Sequence, residues 1–220
     1  MSTDITTAAE LHLTGWWEKN KTRVFQIAII AAVVAFLASF YIWRKNQRET
    51  EAAEALSAVT PGADTAQSLL KIAENYSGTA AADRAVFEAA GATFAAGKFD
   101  DAGKLFERYL REFPDGSERA AALLGVAACL DSQGKAADAI QKYQDVSQRF
   151  SSSPAAANAK ASLARLYEAQ GKPELALPLY QELSHDQNTS YGLESAVRLQ
   201  SLLTRHPELT QAKGQTTVVK

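Results

Sequence analysis

GKFDDAGKLFERYLREF, residues 97–113, returns 37 residues later as GKAADAIQKYQDVSQRF (134–150) and again as GKPELALPLYQEL (171–183). In each copy a Gly-Lys pair is followed at fixed distances by an alanine (Ala102, Ala139, Ala176) and an aromatic ring (Phe106, Tyr143, Tyr180). Three positions further on stand Tyr109, Val146 and Leu183. Offsets of four and seven put these residues on one face of a helix. The match also runs upstream, because Ala90, Ala127 and Ala164 each lie seven residues before their glycine. Phe113 and Phe150 each close a helix ahead of a Pro-containing loop, FPDG and FSSSP. A fixed period of this length is the signature of stacked helix pairs. The residue types have a packing reason: alanines let antiparallel helices approach, the rings fill the wider gap, and the glycine ends the first helix of each pair in a left-handed turn.

The pattern resembles the tetratricopeptide repeat, which has small residues at its eighth and twentieth places, an aromatic at the twenty-fourth and proline at the thirty-second. With Gly97 at the fifteenth place, Ala90, Ala102, Phe106 and Pro114 fall on those four. The likeness has departures. The family period is 34, so three extra residues are expected between repeats; Val86, Leu123 and Lys160 stand where the early Trp would be; and the third unit lacks the closing proline. Carried backwards, the register adds a unit with Thr65, Leu69 and Tyr76 in its second helix and Ala52, Ala53 and Leu56 in its first. The expected fold is all-α: one transmembrane helix, then an α-solenoid of about four tetratricopeptide-like helix pairs with a C-terminal capping helix. Helices are expected near 45–59, 63–76, 80–96, 99–113, 117–133, 136–150, 154–170 and 173–185, with the cap near 189–205. The first of these should continue directly from the membrane span.

That span is VFQIAIIAAVVAFLASFYIW, residues 24–43, with no charge, proline or glycine. Roughly 20 helical residues cross a bilayer core, and in lipid only a helix satisfies the backbone of a single segment. Lys19, Lys21 and Arg23 precede it and Arg44, Lys45 and Arg48 follow; Trp16, Trp17, Tyr41 and Trp43 stand at the headgroup levels. A cleaved signal would carry a shorter run ending in a small-x-small site, whereas this one ends in FYIW. The anchor is therefore expected to be retained. The expected organisation is a short leader at 1–23 with disorder over most of Met1–Thr14, the span at 24–43, a repeat domain at 44–206 and a flexible tail at 207–220.

From Glu49 onward the chain carries 17 Lys/Arg and 22 Asp/Glu, a formal charge of −5, with no basic run past Arg48. Nucleic-acid binding would need a basic face. The single cysteine, Cys129, lies among Val126, Ala127, Ala128 and Leu130 and reads as a small core residue. His12, His185 and His206 are far apart, and no metal or phosphate-loop motif occurs. Asp100-Asp101 opens a helix, where carboxylates favour the free N–H groups. No catalytic residue, metal or cofactor is expected, and the chain is not expected to be an enzyme.

On the repeat family's register, the inward positions of the first helices include Arg84, Phe87, Phe94, Leu124, Asp131, Arg165 and Glu168. The resemblance implies a concave face suited to an extended, partly apolar peptide or a partner helix. The opposing reading buries Phe87 and Phe94 against the preceding repeat. The chaperone-binding clamp of Lys and Asn found in part of the family is absent, its places being held by Ala121, Leu124 and Ala128, or Asn158, Ala161 and Arg165. The layout as a whole, above all residues 13–56, resembles the ancillary Sec-translocon subunit family (YfgM-like) of bacterial inner membranes. That resemblance implies a cytoplasmic N-terminus, a periplasmic repeat domain, and partners among translocon subunits, a periplasmic chaperone and exported clients, with membrane lipid around 24–43. Charge alone does not orient the span, since three basic residues flank each end. An envelope scaffold for outer-membrane assembly or cell division, and a cytoplasmic-facing membrane adaptor, are the alternatives.

Overall fold

The computed structural model describes residues 3–186 and 189–211. Every regular element among them is helical: α1 Thr3–Ser57, α2 Thr65–Asn75, α3 Ala80–Ala95, α4 Phe99–Glu112, α5 Arg119–Ser132, α6 Ala136–Arg149, α7 Pro154–Ala169, α8 Pro173–Ser184, α9 Ser190–Arg205 and α10 Glu208–Gln211. The helices follow the sequence expectation to within a few residues at each end. Two differences stand out. Helix α1 begins at Thr3, where disorder was expected over most of Met1–Thr14; adding turns to an existing helix is far easier than nucleating one, and nothing between Thr3 and Gly15 breaks it. The segment expected as a flexible tail from 207 opens with α10, whose Leu209 packs on the last core cluster; 212–220 lie outside the described residues.

The chain divides into two compact units, Met1–Glu51 and Ala52–Lys220. In the first, Phe25, Ile29, Val33, Phe36, Leu37 and Phe40 are all exposed. By length and composition α1 is a candidate membrane anchor, and it is the one such helix among the described residues. Aromatic pairs mark both borders of its apolar run, Trp17 with Phe25 (6.1 Å between centroids) and Phe40 with Trp43 (5.9 Å).

In the second unit each helix from α2 to α9 packs on the next. The pairs are α3–α4, α5–α6 and α7–α8, preceded by α2 and closed by α9. Ala90, Ala127 and Ala164 are fully buried, as are Ala102, Ala139 and Ala176. The rings at Phe106, Tyr143 and Tyr180 each anchor one of three successive core clusters. Gly97, Gly134 and Gly171 have φ of 75°, 75° and 68°, a conformation that costs an L side chain dearly and glycine nothing. Each turn closes with the same two bonds. Gly97 N–H donates to Phe94 O and Lys98 N–H to Thr93 O; the pattern repeats at Gly134–Lys135 and Gly171–Lys172, with all six bonds between 2.9 and 3.2 Å.

The helix starts are less uniform. Thr79, Ser153 and Thr189 cap α3, α7 and α9 through their side-chain oxygens. Helix α5 has no such cap, and the Glu118 N–H at its start instead donates to the Tyr109 hydroxyl of α4 (3.1 Å). Val146 and Leu183, the equivalents of Tyr109 one and two periods on, have no hydroxyl to offer.

Candidate partner-binding groove

The first helices of the pairs touch their successors, α3 with α5, α5 with α7 and α7 with α9. Among the described residues the second helices α4, α6 and α8 make no contact of that extent with one another. Within the repeat unit the row therefore bends, with α3, α5, α7 and α9 on its inner side.

The seven inward positions read from the sequence fall into two groups. Arg84 is exposed and donates from Nε to Glu88 Oε1 (2.6 Å); that bond, with further help from Glu118, pushes its pKa up. Phe87 is half-buried, its ring edge-on to Phe106 and Tyr109, both 5.8 Å away. Phe94 is half-buried against Phe99 of α4 (5.1 Å), and Leu124 packs on the second cluster. The two phenylalanines are thus neither free-standing nor sealed off: one side of each ring packs on the core while the rest stays accessible.

The other three are charged and already engaged. Asp131 pairs with Arg165 of the next repeat and accepts from the Tyr143 hydroxyl of its own (3.5 Å). Glu168 pairs with Arg205 of α9 (2.8 Å). Its Oε1 and the Tyr180 hydroxyl are both buried and without a hydrogen-bond partner. Burial first, and then the Glu168 carboxylate, hold the Tyr180 hydroxyl up to about 12. Phe94, Asp131, Glu168 and Arg205 are spaced one period apart, so one column of the inner face changes from apolar to acidic to basic along the array. Arg205 was missed from the sequence. The signal was there, an arginine one period after a glutamate at matching helix ends, but pairing requires knowing that like positions on successive first helices are neighbours.

Burial, then the nearby Asp100, pushes the Cys129 thiol up to about 11, so it stays protonated and serves as core. Gly125 has a role the sequence did not reveal: a Cβ there would lie 2.6 Å from the Phe106 ring. Among the described residues no three His, Cys, Asp or Glu side chains are grouped to hold a metal ion. A cleft of about 620 Å³ opens beside the starts of α7 and α9, crossed by the Lys160–Glu182 ion pair (2.6 Å).

Helix pairs with this turn, this alanine column and this inner face define a repeat scaffold that binds other proteins. The family model described as tetratricopeptide repeat-like domain matches residues 14–148, and a second, described as tetratricopeptide repeat, matches 130–189. The chain belongs to the tetratricopeptide repeat-like family. Arrays of this kind are typically non-catalytic interaction scaffolds, and no enzyme family matches. Among solved structures, the nearly identical tetratricopeptide-like repeats of a putative kinesin light chain from Podosopora anserina superpose with a TM-score of 0.54. The identity is 17%, over 78% of this chain and 92% of that one. A second crystal structure of those repeats gives 0.53 at 17% identity, over 79% and 98%. At that identity the likeness concerns the fold. A comparison with curated proteins finds no match.

Proposed function

We propose that this protein is a membrane-anchored interaction scaffold of the bacterial envelope that associates with the Sec translocon and assists exported proteins or their periplasmic chaperones. Residues 24–43 hold it in the inner membrane, the N-terminus is cytoplasmic, and the repeat unit works in the periplasm. Partners lie along the inner face, against Arg84, Phe87, Phe94 and Leu124 at one end and Asp131, Arg165 and Glu168 at the other.

The observation that carries this reading is the span of the family match, which begins at residue 14 and takes in the apolar helix together with the first repeats. Support also comes from the likeness of the leader and anchor to ancillary translocon subunits, and from a groove built for side-chain contact without a charged clamp. The test is crosslinking in intact cells, purification through a C-terminal tag, and protease accessibility of that tag on spheroplasts. Recovery of translocon subunits or exported chains with the tag outside supports the reading. A cytoplasmic tag, or recovery of division and outer-membrane assembly factors alone, defeats it.

A further inference from the structure

The three helix pairs fill one equivalent place with different amounts of side chain. In the first pair Tyr109 of α4 is fully buried, its ring 5.8 Å from Phe87 and 5.3 Å from Phe113. Its hydroxyl accepts from the Glu118 N–H, so one ring ties α3, α4 and the start of α5 together. One period on, Leu124 and Val146 stand in the places of Phe87 and Tyr109, and a further period on Ala161 and Leu183 do. Each step removes bulk while the helices repeat. Surroundings close only in part around missing side-chain volume. Beside Leu183 the shortfall is open space: the cleft of about 620 Å³ at the starts of α7 and α9.

The lining says what would fit there. Leu183, Ala157 and Pro154 supply apolar surface. Lys160 stands where Val86 and Leu123 pack on the core in the earlier pairs. Its side chain is only 19% exposed, and Glu182 holds its ammonium at 2.6 Å. Tyr191, also in the lining, is fixed by Asn158 Nδ2 donating to its hydroxyl (3.2 Å). A fixed ammonium and a fixed ring both favour an aromatic neighbour over an aliphatic one. The volume lies within the roughly 300–1,000 Å³ of clefts that hold ligands. None of the seven inner-face positions is among the residues that line it.

We propose that this cleft is a second binding site, apart from the inner face, that takes one aromatic side chain of another protein. The incoming ring stands where Tyr109 stands in the first pair, between the end of α8 and the starts of α7 and α9. The first pair fills the place with a residue of a polypeptide, so a residue of a second polypeptide is the like-for-like occupant.

The experiment titrates the full chain in zwitterionic nanodiscs, with empty discs subtracted, and reads ring signals by saturation-transfer NMR. The probes are a Ser-Gly-Ser-Phe-Ser-Gly-Ser peptide, the same peptide with cyclohexylalanine in place of Phe, and free phenol. The Phe peptide should bind, and the cyclohexylalanine peptide about threefold or more weakly, because it keeps the bulk and loses the π face. Leu183→Phe and Ala157→Trp fill the cleft from within and should each weaken the Phe peptide about tenfold with helical circular dichroism unchanged. Lys160→Met should weaken the Phe peptide about threefold and leave the cyclohexylalanine peptide as it was. It adds no bulk, so it decides the matter if a filled variant fails to fold. Arg84→Ala, on the inner face, should change nothing. No binding of the Phe peptide overturns the inference, as does equal binding of the two peptides or by the filled variants. Binding of phenol without the peptide would make the cleft a small-molecule pocket and overturn it too, and loss of binding in Arg84→Ala would move the site to the inner face. None of these outcomes bears on the crosslinking test of the translocon reading.

Discussion

The two ends of the inner face use one backbone frame for opposite purposes. Around α3 and the start of α5 the frame carries Phe87, Gly91, Phe94 and Leu124, apolar and partly open. From Asp131 onward the corresponding places hold ions that pair with the next repeat, Asp131 with Arg165 and Glu168 with Arg205. One end leaves apolar side chains partly accessible, while the other engages its side chains in joining its own repeats. A charge engaged by its neighbour adds cohesion between repeats, so the repeats are alike in fold and unlike in what their inner-face side chains touch.

The comparison breaks first if the cores beneath the two ends are not what hold them. Phe106→Ala removes the ring that fills the space over Gly125 and should cost about 3–5 kcal/mol, seen as a large fall in Tm. An equally stable variant would mean the first cluster is not the core of the apolar end. At the charged end, Tyr180 is held protonated in the fold up to about 12 against an ordinary 10.0. Its contribution is complete below pH 10 and is lost as the pH rises through about 12, because the unfolded chain ionises first. The loss by pH 12 is about 2 kcal/mol, and Tyr180→Phe should flatten that part of the pH–stability curve. Tyr109→Phe leaves the Glu118 N–H at the start of α5 without its acceptor and should cost about 1 kcal/mol, read as faster amide exchange in the first turn of α5. Smallest of all, a double-mutant cycle on Asp131→Ala and Arg165→Ala should give a coupling of about 0.5 kcal/mol that shrinks in salt, since the arginine is nearly half exposed. Zero coupling would erase the claim that this pair joins repeats.

Much of this was legible because it is written in the period. The glycine turns, the alanine columns and the helix limits follow from local rules repeated three times, and Ala90, Ala127 and Ala164 are buried for the same reason in each copy. What escaped was lateral. Arg165 was placed on the inner face but not joined to Asp131, because a 34-residue separation departs from the period. Gly125 was silent because its purpose is set by a ring on another helix. Phe87 and Phe94 could be read as core or as groove, and the structure has each ring packed on the core on one side and accessible on the other, a state periodicity cannot express. The Tyr109 bond to α5 departs from the pattern, so a reading built on likeness between repeats passes over it.

The three identical glycine exits make the array a ruler with interchangeable graduations. Excising residues 98–134, one whole period, would join Gly97 to Lys135 and so restore a Gly-Lys junction of the same kind. The shortened chain should keep its turns and lose one helix pair of reach. Length of grip is thus a quantity that recombination can alter in whole steps while the rule for each joint stays as it was.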